Sequence, residues 1–133
     1  MDAFDADVII YAADPTHPLG SRVRRLFASP GIEPVGIGSV MLLPEVLSKP
    51  VRDEQFEHVR ELSQLLGRLD LRPMDLETAR LSTALAALHG LRAADAVHLA
   101  TAVMSGADRF VTNNRLDFAK SIGDIVITYP DDL

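Results

Sequence analysis

The chain has 133 residues, no cysteine and a formal net charge of −6 at pH 7. Without thiols, disulfides and thiolate metal sites are excluded. No apolar run approaches the roughly 18 residues of a membrane span, and the N-terminus lacks the basic start of a signal peptide. With 47% hydrophobic and 24% charged residues, the composition is that of a folded chain, not a disordered one. The expectation is one cytoplasmic domain over residues 1–133, large enough to bury a core. The negative charge weighs against a nucleic-acid partner, except that a catalytic acidic cluster would itself supply several of those charges.

The first stretch, Phe4-Asp5-Ala6-Asp7-Val8-Ile9-Ile10-Tyr11, is apolar apart from two carboxylates. It reads as a strand over about Ala3–Ile10, which puts Asp5 and Asp7 on one face because side chains at i and i+2 point the same way. Two unit charges about 4 Å apart repel by roughly 4 kcal/mol at an effective dielectric near 20. A cation, a proton or a partner is needed to offset that. Asp14-Pro15-Thr16-His17-Pro18 is a turn, and Pro18 opens a helix to about Ala28 that buries Val23, Leu26 and Phe27. Its Arg22, Arg24 and Arg25 form a solvated face.

Pro34–Ser39 is a short second strand bearing Gly36 and Gly38. The following helix begins just before Pro44, which a first turn tolerates, and stops at Pro50. Glu45 therefore lies at its start. A second amphipathic helix covers Asp53–Leu66, with Phe56, Val59, Leu62 and Leu66 on its buried stripe. Leu69–Met74 is a third strand, and Pro73 marks it as an edge or a strand end. Asp75 caps a helix that closes at His89-Gly90. Ala93–Met104 is apolar nearly all round, hence buried, with Asp95 and His98 the exceptions. Arg109–Thr112 and Asp124–Tyr129 are the fourth and fifth strands, with helical turns expected over Arg115–Lys120.

Strands alternating with helices imply an α/β three-layer sandwich around a mainly parallel five-stranded sheet. In such a sheet the strand C-terminal ends and the starts of the helices that follow share one edge, where ligands bind. Asp5 and Asp7 lie toward the end of strand one, Glu45 opens the helix after strand two, and Asn113, Asn114 and Asp117 follow strand four. The helix carrying Asp95 joins strand four through about four residues, so it must begin at the same edge as the other acids. Taken singly, Glu45 could favour its helix's positive end, and His98 is either a ligand or a core histidine hydrogen-bonded to a neighbour. Together the acids form an all-oxygen donor set, suited to a hard cation, Mg²⁺ or Mn²⁺. Such an ion fits phosphate-ester chemistry.

The segments Asp5–Ala12, Pro44–Leu47, Ala94–Ala100 and Phe110–Asn114 resemble, in order and spacing, the motifs of PIN-domain nucleases, and the small size and Asp14-Pro15 turn resemble the VapC toxins of toxin–antitoxin pairs. The resemblance implies that Asp5, Glu45 and Asp95 hold Mg²⁺ or Mn²⁺ and that Thr112 is the hydroxyl at the end of strand four. Asp7 stands where the family usually has a small polar residue. Asn114 stands where many members carry a fourth acid, so Asp7 or Asp117 is the expected compensation. The resemblance further implies cleavage of single-stranded RNA, neutralisation by a cognate antitoxin and homodimerisation. Arg92 and Arg115 are candidate contacts to the RNA backbone. Two rivals remain at this level: a phosphohydrolase with an aspartyl nucleophile, since Asp-x-Asp at a strand end opens that chemistry too, and a catalytically weak binding module on the same fold.

Overall fold

A computed structural model describes residues 1–133. Five parallel strands, β1 (Asp2–Phe4), β2 (Gly36–Ser39), β3 (Leu69–Arg72), β4 (Arg109–Val111) and β5 (Val126–Thr128), form one sheet in the order β3-β2-β1-β4-β5. Six helices, α1 (Ala6–Ala13), α2 (Gly20–Leu26), α3 (Leu42–Arg52), α4 (Phe56–Leu66), α5 (Leu76–His89) and α6 (Ala93–Met104), cover it, and a 3-10 turn follows over Pro130–Asp132. The expected three-layer α/β architecture is present, with β3 at an edge as Pro73 suggested.

Alternation along the strands divides the core between the two faces. Phe4, Leu69 and Val111 point to one side and pack with Val8, Ile9, Val23, Leu42, Leu62 and Leu66 of α1–α4. Ala3, Ile37, Phe110 and Ile127 point to the other and meet Leu85 of α5 and Ala96, Leu99 and Ala100 of α6. The middle of the sheet admits little side-chain bulk. A Cβ on Gly36 would lie 2.4 Å from the Phe4 ring and 2.8 Å from Asp2 O, so the glycine at this buried strand position is a packing requirement.

Several elements depart from expectation. The first strand ends at Phe4, not Ile10, and Asp5 is the N-cap of α1 with extended backbone, φ −82° and ψ 164°. Burial within α1 falls on Val8, Ile9, Ala12 and Ala13, the spacing of a helix face and not of a strand. Asp5 and Asp7 are therefore a cap and a first-turn residue, not two rungs of one strand face. Pro50 lies inside α3, which continues to Arg52. Close to the C-terminal end it costs one intrahelical bond, the one an N–H would otherwise make to the Val46 carbonyl. α4 begins at Phe56, which is 72% exposed and outside the buried stripe, leaving Leu62 and Leu66 to pack. Residues 115–117 form a turn, not a helix. Arg22 and Arg24 are not merely solvated: Arg22 Nη1 donates to Asp131 O at 2.8 Å, and Arg24 Nη1 to Ala12 O at 3.1 Å.

No helix is long and apolar enough to cross a membrane.

Candidate metal centre

Because all strands run the same way, the ends of β1, β2 and β4 deliver their following residues to one edge. Asp5 comes first. Its N–H donates to Val111 O at 3.0 Å, continuing the pairing of β1 with β4 by one residue. Its side chain is buried, Oδ1 accepting from Ala6 N and Oδ2 from the Thr112 hydroxyl, each at 2.8 Å. Thr112 Oγ1 in turn accepts the Asn114 N–H at 3.1 Å, so one hydroxyl joins the acid to the loop after β4. In that loop Asn114 Nδ2 donates to Asp117 Oδ2 at 2.9 Å.

Asp7, in the first turn of α1, accepts the Asn113 N–H on Oδ2 at 3.0 Å. Its Oδ1 is buried without a partner. Glu45, in the first turn of α3, reaches across to α6, where its Oε2 accepts from Nε2 of the buried His98 at 2.7 Å. Asp95 is in the first turn of α6, one helical turn before His98. The expectation that α6 starts at the acidic edge holds. His98 is a buried histidine with a hydrogen-bond partner, and that partner comes from another helix.

The electrostatics show how near the acids are to one another. Burial raises the Asp5 pKa most, with Glu45 adding to the rise while His98 and the hydrogen bonds from Thr112 and Ala6 oppose it. Asp7 is pushed up to about 7, by burial first and then by the charge of Asp5, with Asp95 contributing. Asp95 is raised by burial and then by Asp5, Asp117 and Glu45. For His98 burial is the largest influence and disfavours the cation, yet the Glu45 hydrogen bond and the charges of Asp5, Glu45 and Asp95 together leave its pKa raised. The residues foreseen as ligands thus converge electrostatically, with Asp117 beside them.

They are not gathered into a tight cluster: no three carboxylate or imidazole groups stand at separations from which one ion could be held. Mutual repulsion opposes a closer approach. The donor chemistry nonetheless fits a hard divalent cation. Every acid offers oxygen, each carboxylate oxygen of Asp5 keeps a lone pair beyond its single hydrogen bond, and Asp7 Oδ1 is a buried acceptor with no donor. Oxygen donors of this kind are those Mg²⁺ and Mn²⁺ prefer.

Of the basic candidates, Arg115 is committed elsewhere, pairing with Asp131 and lying 4.6 Å over the Tyr129 ring, while Arg92 is the exposed N-cap of α6. Sequence reasoning missed Asn113 as the residue that pins Asp7. The two adjacent asparagines after strand four were the available signal, but only the fold sets the Asn113 N–H against α1.

Comparison with solved structures places the same fold in three complexes. A toxin–antitoxin complex from Klebsiella pneumoniae gives a TM-score of 0.76 at 21% identity, covering all of both chains. FitAcB from Neisseria gonorrhoeae gives 0.74 at 22%, again over all of both chains. VapBC2 from Rickettsia felis, bound to a DNA fragment from their promoter, gives 0.72 at 17% over 96% of this chain and 97% of that one. None of the curated proteins matches the chain. The PIN domain, however, matches it over residues 3–127, which takes in all but the outermost residues of the sheet, Asp2 and Thr128, and all of the acids at its C-terminal edge. The chain belongs to the PIN domain family.

Proposed function

We propose that this protein is a metal-dependent endoribonuclease of the VapC type, the toxin of a toxin–antitoxin pair acting in the cytoplasm as one domain. The observation that carries the reading is the convergence of Asp5, Glu45 and Asp95, from three elements far apart in sequence, on the C-terminal edge of a parallel sheet. The similar folds found in toxin–antitoxin complexes support it. The partners are single-stranded RNA, a cognate antitoxin and a second copy of the chain.

Asp5, Glu45 and Asp95 hold the cation, Mg²⁺ or Mn²⁺. When bound, the cation supplies Lewis-acid stabilisation of the charge that builds on the scissile phosphate. The protein's own contribution is to hold its acids in place. Ala6 N–H and the Thr112 hydroxyl fix the Asp5 carboxylate, a geometry suited to a held anion more than to a free nucleophile. His98 keeps a proton on Nε2 and donates it to Glu45, orienting that side chain from the floor of the site. Asn114 orients Asp117, whose charge acts on Asp95. Asp117 and Asn114 position water or substrate beside the three ligands.

The test is cleavage of single-stranded RNA by the purified chain with and without Mn²⁺, alongside Asp5→Asn and Asp95→Asn. Each substitution should reduce cleavage by at least about 100-fold, the upper end of what disturbing even an outer contact to a metal costs, while circular dichroism stays unchanged. Undiminished cleavage in both variants overturns the ligand assignment, and no cleavage by the wild type in Mn²⁺ overturns the function.

A further inference from the structure

Asp7 holds a position that the three-ligand reading leaves unexplained. One oxygen of its carboxylate is tied down, since Oδ2 accepts the Asn113 N–H at 3.0 Å and so bridges the start of α1 to the segment after β4. The other oxygen, Oδ1, is buried and meets no donor. On that same segment Asn113 Oδ1 is also buried without a partner. Leaving a buried acceptor unsatisfied costs about 1–3 kcal/mol, and more when it is charged. The Val8 N–H acts on the carboxylate without a hydrogen bond to Oδ1, and a proton fills the gap only below about pH 7. Asp5 and Asp95, whose charges act on Asp7, are themselves acceptors, and the Thr112 hydroxyl is already spent on Asp5. What would satisfy orphaned oxygens beside further carboxylates is a hard cation, which takes carboxylate and amide oxygens together.

We propose that Asp7 supplies Oδ1 as a further ligand to the divalent cation held by Asp5, Glu45 and Asp95. The proposal rests on the metal-dependent reading above and adds to it a carboxylate from α1. The Asn113 N–H holds Oδ2 and so leaves Oδ1 as the oxygen that would be free to ligate.

A purely local role makes a different prediction. If Asp7 only anchors the loop after β4, Asp7→Asn preserves that anchor, because the amide oxygen still accepts the Asn113 N–H, and cation binding is unaffected. The experiment is calorimetric titration of the full chain with Mn²⁺, for the wild type, Asp7→Asn, Asp7→Ser and Asp5→Asn. Asp7→Asn and Asp7→Ser should each weaken Mn²⁺ binding by about tenfold or more and shrink the rise in melting temperature that Mn²⁺ produces. Wild-type affinity in Asp7→Asn, with binding lost in Asp5→Asn, overturns this inference and leaves the nuclease reading intact. No Mn²⁺ binding by the wild type overturns both. A titration that needs no variant follows the side-chain carboxyl carbon signals of the wild type during addition of Mg²⁺. Movement of Asp7 together with Asp5 supports the proposal, and movement of Asp5 alone overturns it.

Discussion

At the edge where the strands begin, Asp2 takes the Arg109 guanidinium in two hydrogen bonds of 2.8 and 3.1 Å, and Asp108 pairs with the N-terminal ammonium. At the edge where they end, Asp5, Asp7, Glu45 and Asp95 have one imidazole among them, and that imidazole is bonded to Glu45. Both edges belong to the same parallel sheet, so backbone geometry does not set them apart. The difference lies in compensation. An acid kept for structure is matched by a cation on its own chain, as Asp2 is. Acids packed together with almost no matching cation lower stability, and on the proposed reading this is the edge that takes the cation.

The contrast is sharpest in the dependence of stability on pH. Asp7 titrates near 7 in the folded chain against an ordinary value of 3.8, so the folded state keeps a proton that the unfolded state has already released. The stability linked to that proton is complete below about pH 3.8 and is lost as pH rises through about 7. The rise corresponds to about 4 kcal/mol for this one group. Asp5 and Asp95 are raised in the same direction, by burial first. His98, raised above 6.5, acts in the same sense, its share being present below that value and lost above it. Urea denaturation in EDTA should therefore show stability falling between pH 5 and pH 8, and saturating Mn²⁺ should remove most of the fall. A flat profile in EDTA breaks the comparison.

Thr112→Val gives the next largest effect. It removes the hydroxyl that donates to Asp5 Oδ2 and accepts from Asn114 N, in a fully buried position. Replacing it with an isosteric methyl leaves the carboxylate short of a donor, at a cost of about 1–3 kcal/mol by urea denaturation. RNA cleavage should fall as well, because Asp5 loses its orientation. Full stability in this variant would show that the Asp5 carboxylate does not depend on the Thr112 hydroxyl.

How far the sequence alone reached differs from one region to another. The α6 helix was legible to the residue at both ends, since an almost wholly apolar run flanked by a turn and by Ser105-Gly106 has one reading. The α5 cap at Asp75 was equally plain, its side chain accepting from Thr78 N. The first acids were assigned to the right edge for the wrong local reason. Val8-Ile9-Ile10-Tyr11 has the β-branched and aromatic composition of a strand, but Asp5 caps a helix there and tertiary packing overrode the propensity. Either conformation leaves Asp5 at the end of β1, so its place at that edge did not depend on the choice. The Glu45–His98 bond and the Asn113–Asp7 bond were not legible. Each joins residues 53 or 106 positions apart, and nothing local in either segment records its partner.

The smallest effect belongs to the compensated edge, and it tests whether that edge is only structural. Asp2→Ala removes both hydrogen bonds to Arg109, whose side chain is 32% exposed and regains water when its partner is lost. A partly exposed ion pair of this kind contributes about 1 kcal/mol or less, even with good geometry, and salt screens part of that. The expected result is a loss of stability of that size in urea, smaller still at high ionic strength, with Mn²⁺ binding and RNA cleavage unchanged. β1 begins at Asp2 and delivers Asp5 to the opposite edge only three residues later. A drop in cleavage without a larger loss of stability would therefore mean that Arg109 and Asp2 set the position of Asp5 along the strand, and the two edges would be one device instead of two.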